Sequence, residues 1–265
     1  MSRAAVRCVA ALAILVATGC RTLAPPAAPA VALRPEALFD ALMQQSEARR
    51  SLRGLARVAV DGPAGSGRGK QVLVAARPGR LRVEFLGFLN QTVALFATDG
   101  SRYDLFQAEE RFHRSGPVHA GLLFESVQVD LSPEEAVSVL LGDPGPLLGL
   151  ALAPAPRAAD PEVGIELVDA GGAIRRVLRF DAAARLRRAE ARTASGATAW
   201  IVQFEDYRDV GDVAFAHTIE LEVPASATRA RLGFREVELN PDLPPDIFEL
   251  RLPAGVSSEL GGTGS

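Results

Sequence analysis

Arg80-Leu-Arg-Val-Glu-Phe85 alternates charged and apolar residues without a break, so that Leu81, Val83 and Phe85 fall on one side of an extended chain and Arg80, Arg82 and Glu84 on the other. Successive side chains of a strand point to opposite faces, and the hexapeptide therefore reads as a strand with one face buried and one in water. Pro78-Gly79 precedes it, and Asp99-Gly100 follows the next apolar run. Such short links leave no room for a crossover helix, so neighbouring strands should be antiparallel. Working outward, comparable runs at 55–61, 70–77, 91–98, 102–107 and 110–114 make a first series. A second series occupies 164–169, 173–180, 184–192, 199–207, 213–223, 229–239 and 247–252. There is no βαβ rhythm, and about a dozen strands with two or three helices suit one long antiparallel sheet curled around helices.

Two helices announce themselves. Pro35-Glu36 opens the first, with Leu38, Leu42 and Met43 at helical spacing and Leu38, Phe39 and Leu42 expected to pack on the sheet. Ser132-Pro-Glu-Glu135 is a capping box with proline at the first helical position, and Ala136, Val137, Val139, Leu140 and Leu141 supply the apolar face that follows. From Gly142 to Pro161 the chain is apolar and rich in Pro and Gly, too broken for a long helix.

The N-terminus is of another kind. Arg3 and Arg7 precede an apolar stretch, Cys8 to Val16, that is too short for a permanent span, and small residues follow. Val16-Ala17-Thr18-Gly19-Cys20 resembles a bacterial lipobox, with Ala17 where most carry leucine; an ordinary cleaved signal or a short anchor is the competing reading. In the lipobox reading, residues 1–19 are a signal peptide and Cys20 is the lipidated first residue of the mature chain. Residues 20–34, rich in Ala and Pro, form a tether reaching on the order of 40 Å. A folded domain occupies 35–255, and 256–265 is a flexible tail.

Composition narrows the function. The 265 residues are 48% hydrophobic, enough for a sizeable core, and carry a formal charge of −3. Loss of Arg3 and Arg7 with the signal takes the charge to −5, with no basic stripe to suggest a nucleic-acid partner. Cys8 leaves with the signal and Cys20 is consumed by lipid, so no thiol remains for a disulfide or a metal site.

Asp61-Gly-Pro-Ala-Gly-Ser-Gly-Arg-Gly-Lys-Gln71 has the look of a phosphate loop, but Ala64 stands at its first required glycine and Gln71 at its hydroxyl position. A strand, not a helix, follows. The segment is expected to be a flexible hairpin loop. Ser66 lacks the glycine two residues before it that a nucleophile elbow needs. His113, His119 and His217 are not spaced to share a metal ion, and Glu109-Glu110 and Glu205-Asp206 sit beside turns. No catalytic, metal or cofactor site is predicted, and the chain reads as a non-enzyme.

The sequence of elements, together with Arg77-Pro-Gly-Arg-Leu-Arg-Val-Glu-Phe-Leu-Gly87, Gln91-Thr-Val-Ala-Leu-Phe96 and Thr98-Asp-Gly100, resembles the LolA/LolB lipoprotein carriers and receptors of the bacterial envelope. Leu243-Pro-Pro-Asp-Ile-Phe248 through Pro253 is similar to the closing strand that several LolA-like lipoproteins share. The resemblance implies a mainly β fold with a few helices, an open, curled antiparallel sheet or half-barrel of about 11–12 strands covered by helices. It implies a concave apolar face receiving acyl chains of lipid or lipoproteins, for which Leu81, Val83, Phe85, Val93, Leu95, Tyr103 and Leu105 are the candidates. The residues alone allow these side chains to fill a closed core equally well. Phe88 and Leu89 match an exposed apolar loop that LolB-type receptors use to pass lipid to the membrane; folding back onto the sheet is the alternative. The resemblance further implies a monomer, lipid-anchored in the outer membrane and facing the periplasm, with a periplasmic carrier protein as a partner. Arg21 after Cys20 supports the outer membrane, because aspartate there resembles an inner-membrane retention signal. The other function it allows is an adaptor or sensor that binds a protein partner through the same sheet, as the RseB/MucB regulators do.

Overall fold

The alternating hexapeptide forms a strand, and the neighbours predicted from the hairpin links pair with it on both sides. The computed structural model describes residues 34–63, 65–153 and 164–250, together with the backbone of 257–260. The expected signal peptide, Cys20 and the tether up to residue 33 lie outside the described residues, as do 154–161 of the insert and the two residues after it.

Helix α1 (Pro35–Ala48) leads into β1 (Ser51–Gly62), β2 (Gly65–Ala76), β3 (Arg80–Leu86), β4 (Thr92–Thr98), β5 (Arg102–Gln107) and β6 (Phe112–Pro117). Helices α2 (Leu122–Val127) and α3 (Pro133–Leu140) and the short β7 (Leu150–Leu152) follow. The second series is β8 (Gly164–Asp169), β9 (Arg175–Phe180), β10 (Leu186–Arg192), β11 (Thr198–Val210), β12 (Val213–Val223) and β13 (Thr228–Leu239), and β14 (Ser257–Leu260) comes last. All lie in one sheet, ordered β14-β6-β5-β4-β3-β2-β1-β13-β12-β11-β10-β9-β8-β7. Every pairing is antiparallel except that of β14, within the segment expected as a tail, which runs parallel to β6. The sheet is open, with β7 and β14 as its edges.

The joint between the two series is β1 against β13, from Leu52 opposite Leu239 to Asp61 opposite Arg229. Along the concave face Leu52, Ala56, Leu73, Leu81, Phe96, Leu178, Val202, Phe204 and Phe215 are buried in one cluster with Leu38 and Leu42 of α1. Helix α1 packs on β7 and β8, and α3 on β2 and β3. The capping box of α3 is formed: Ser132 Oγ accepts the Glu135 N–H at 3.2 Å, and Glu135 Oε2 accepts the Ser132 N–H at 3.1 Å. Helix α2 has no such sequence signal; it is a six-residue turn started by Gly121 at φ 80°.

Two expectations are corrected. The glycine-rich segment is a strand: β2 begins at Gly65, and Gly65 to Gly69 pair with Gly62 to Val58 of β1. Glycine retains both backbone hydrogen-bonding groups, and the far half of β1, held by β13 on its other side, offers a complete ladder to pair with. The strand expected at 247–252 is turn over its described part, with Ile247 N–H on the Pro244 carbonyl and Glu249 N–H on Asp246. Pro244-Pro245 cannot donate to a ladder, and Phe248 instead packs on Val74 and Ala76 of the outer face, beneath the Arg80 guanidinium 5.3 Å from its ring.

Candidate functional site

Between α2, α3 and the concave face lies a cavity of about 120 Å³. The sheet contributes Val58, Leu73, Leu81, Val83, Ile219 and Leu232, and the roof contributes Leu123, Val127, Leu131 and Val139. Among the described residues, Gln71 is the one polar residue of the lining. Beyond it runs an open groove of about 630 Å³ bounded by Val58, Val60, Gly65 to Gln71, Phe85, Val93 and residues 126–128. Val58, Val60, Gln71 and Val127 line both spaces.

The candidate acyl-contacting residues divide into four groups. Leu81 and Val83 line the cavity, whereas Phe85 and Val93, the latter 40% exposed, border the groove. Tyr103 and Leu105 share the concave face but belong to the filled core, where the Tyr103 ring stacks on Phe96 at 6.4 Å. Leu95 lies on the opposite face, opposed by Glu84 and Phe106. The cause is a bulge: the register of β3 on β4 shifts between Phe85 and Leu86, so Phe85 opposes Ala94 and Val83 opposes Phe96. Odd-numbered residues face inward on β3 and, from Ala94 onward, even-numbered ones on β4. Phe96, absent from the sequence-based set, is fully buried on the inward face of β4. Ile219, Leu221 and Leu232 were also missed, although they alternate visibly, because only the β1–β13 pairing sets them across from β3.

The β3–β4 turn holds Phe88 and Leu89 in solvent, 96% and 79% exposed. Its backbone is tied at both ends. The Gly87 N–H donates to the Gln91 carbonyl at 2.8 Å, Asn90 N–H to Gly87 at 3.0 Å, and Lys70 Nζ to Asn90 Oδ1 at 2.8 Å. Neither side chain folds back onto the sheet.

The described part of the insert anchors the roof. Asp143, directly beyond α3, is fully buried and accepts from Arg49, Arg77 and Ser46. The Pro144 carbonyl accepts the Arg176 Nε–H at 3.2 Å. That guanidinium lies 4.9 Å from the centre of the Trp200 ring, and burial holds its pKa below the usual arginine value despite the opposing charge of Glu135. Glu135 in turn accepts the Trp200 indole N–H at 3.0 Å, linking α3 to β11.

The histidines remain apart. His113 Nε2 is 2.8 Å from Asp104 Oδ1, His119 lies against its neighbour's carbonyl, and His217 Nδ1 is 3.1 Å from the Phe215 carbonyl. Among the described residues no three His, Cys, Asp or Glu side chains gather as metal ligands.

No protein-family profile and no curated protein matches the chain. Solved structures do. A domain from Vibrio parahaemolyticus described as an outer membrane lipoprotein-sorting protein superposes with a TM-score of 0.57 at 13% identity, over 80% of this chain and 94% of that one. A LolA superfamily protein from Nitrosomonas europaea gives 0.54 at 14% identity, over 80% and 96%. A DUF1329 family protein from Desulfovibrio piger gives 0.58 at 11% identity, over 81% and 97%. The fold is LolA/LolB-like, and at these identities the likeness is one of fold alone.

Proposed function

We propose that the chain is an envelope lipoprotein, anchored through Cys20, that takes acyl chains of lipid or lipoproteins into the apolar cavity and delivers them to the outer membrane. One observation carries this reading: a cavity lined, among the described residues, by a single polar side chain continues into a groove bounded by Phe85, Leu86 and Val93, the residues flanking the turn that exposes Phe88 and Leu89. Each methylene transferred from water into such surroundings contributes about 0.8 kcal/mol, so binding strengthens with chain length and stays reversible without any chemical step. Large apolar side chains on a tied turn are costly to expose unless they meet an apolar partner, and a bilayer or an incoming acyl chain supplies one. The LolA/LolB-like fold supports the same class of ligand.

Fluorescence titration of the purified full-length chain with an environment-sensitive fatty acid tests the reading. Saturable uptake, displaced by unlabelled fatty acid, is expected. No uptake at any concentration below the ligand's micelle threshold would overturn it and favour a protein partner on the same sheet.

A further inference from the structure

The cavity and the groove divide the work of holding a long chain. A space of about 120 Å³ is comparable with the engineered core cavity of ~150 Å³ that takes one benzene ring, so it accommodates on the order of six carbons. The rest of a long acyl chain has to lie in the groove. There the part of the floor that β2 supplies beyond Gln71 is bare backbone. Gly69 stands opposite Val58, and Gly67 opposite Val60, so side chains at these positions would rise from the concave face that carries both valines. A Cβ built at either glycine meets nothing within 4 Å.

Nothing in the backbone calls for glycine here. Gly65 has φ +119°, whereas Gly67 and Gly69 are not among the residues with positive φ. Glycine in a strand costs stability relative to residues with side chains, through backbone entropy and lost packing. The alternation is also one-sided: glycine takes the concave positions, whereas Ser66 and Arg68, opposite Asp61 and Ala59, face outward. An open lane is kept on one face at a cost to the strand.

We propose that Gly67 and Gly69 determine the length of acyl chain the site accepts: the cavity binds the terminal carbons, and the glycine lane provides the path by which the remainder leaves. The inference rests on the acyl-binding reading of the cavity. Side chains on the lane would block long chains and leave short ones untouched.

The test is equilibrium dialysis of the full-length chain and of Gly67→Leu/Gly69→Leu against octanoate and palmitate, with circular dichroism and thermal unfolding as the control for folding. The expected result is a rise of at least roughly tenfold in the palmitate Kd of the variant, with octanoate binding unchanged within about twofold. Gly67→Ala/Gly69→Ala, a smaller change on an extended backbone, should lose less palmitate affinity and still discriminate. Palmitate bound as tightly by both variants as by the unmutated chain overturns the lane and leaves the acyl reading standing. Equal loss of both ligands in a folded variant also overturns it. If the unmutated chain binds neither fatty acid, the acyl reading falls and the lane falls with it.

Discussion

Arg49, the C-terminal cap of α1, places its guanidinium 3.0 Å from Asp143 Oδ1, and the two side chains are 1% and 0% exposed. The other carboxylate oxygen accepts from Ser46 Oγ at 2.6 Å and from Arg77, whose Nε also donates to the Arg49 carbonyl at 3.1 Å. One buried carboxylate thus ties α1, the β2–β3 turn and the segment leaving α3. Removing one member of a buried ion pair strands the other charge away from water, at a cost of about 3–5 kcal/mol. Asp143→Ala should lower the stability read from urea unfolding by about that amount. A loss under about 1 kcal/mol would show that Arg49 reaches solvent when its partner is gone.

The Tyr207 phenol donates to the Leu186 carbonyl at 2.5 Å, and burial pushes its pKa from 10.0 up to about 12. Below pH 10.0 the folded and unfolded chains both keep the proton and the stabilisation is complete; between there and about 12 the unfolded chain loses it first, so stability falls as pH rises. Across that window the unmutated chain should lose roughly 2–3 kcal/mol more than Tyr207→Phe. The variant itself should be about 1 kcal/mol less stable at neutral pH, for the lost hydrogen bond. Urea midpoints measured along the pH series check both, and parallel curves would mean that the phenol is open to water.

Phe88→Glu/Leu89→Glu separates delivery from binding. The tied turn is solvent-exposed, so abundance and fatty-acid uptake should be normal. Two charges where apolar contact is needed should slow lipid transfer to liposomes at least about tenfold, the effect of ~1.4 kcal/mol on a rate. Unchanged transfer would remove the delivery role.

Cys20→Ser should abolish acylation and shift the protein from the membrane to the soluble periplasmic fraction, because the acyl chains are the proposed anchor. Retention on membranes through a high-salt wash would contradict the lipoprotein reading.

What could be read along the chain was what depends on near neighbours. Period-two alternation at Arg80–Phe85, the turn dipeptides and the Ser132–Glu135 capping box are contests among residues a few positions apart, and they identified antiparallel strands, α1 and α3. The exposed turn at Phe88 and Leu89 was legible because two large apolar residues at a turn conflict with local preference. Cys20 and the tether rest on sequence alone.

Tertiary structure decided whatever depends on register or on distant partners. A bulge at Phe85/Leu86, invisible in a pattern of apolar residues, turned Leu95 outward and Phe96 inward, because a one-residue slip exchanges the faces of a strand. The glycine-rich segment became β2 because β1, braced by β13 from more than a hundred residues away, offered it a ladder that no local propensity records. The same β1–β13 joint brought Ile219 and Leu232 over to Leu81 and Val83, and only their packing against the helical roof left a cavity where the sequence allowed a closed core. Alternation determines which side chains are apolar and how they are spaced, but the volume they enclose depends on where the opposing layer comes to rest.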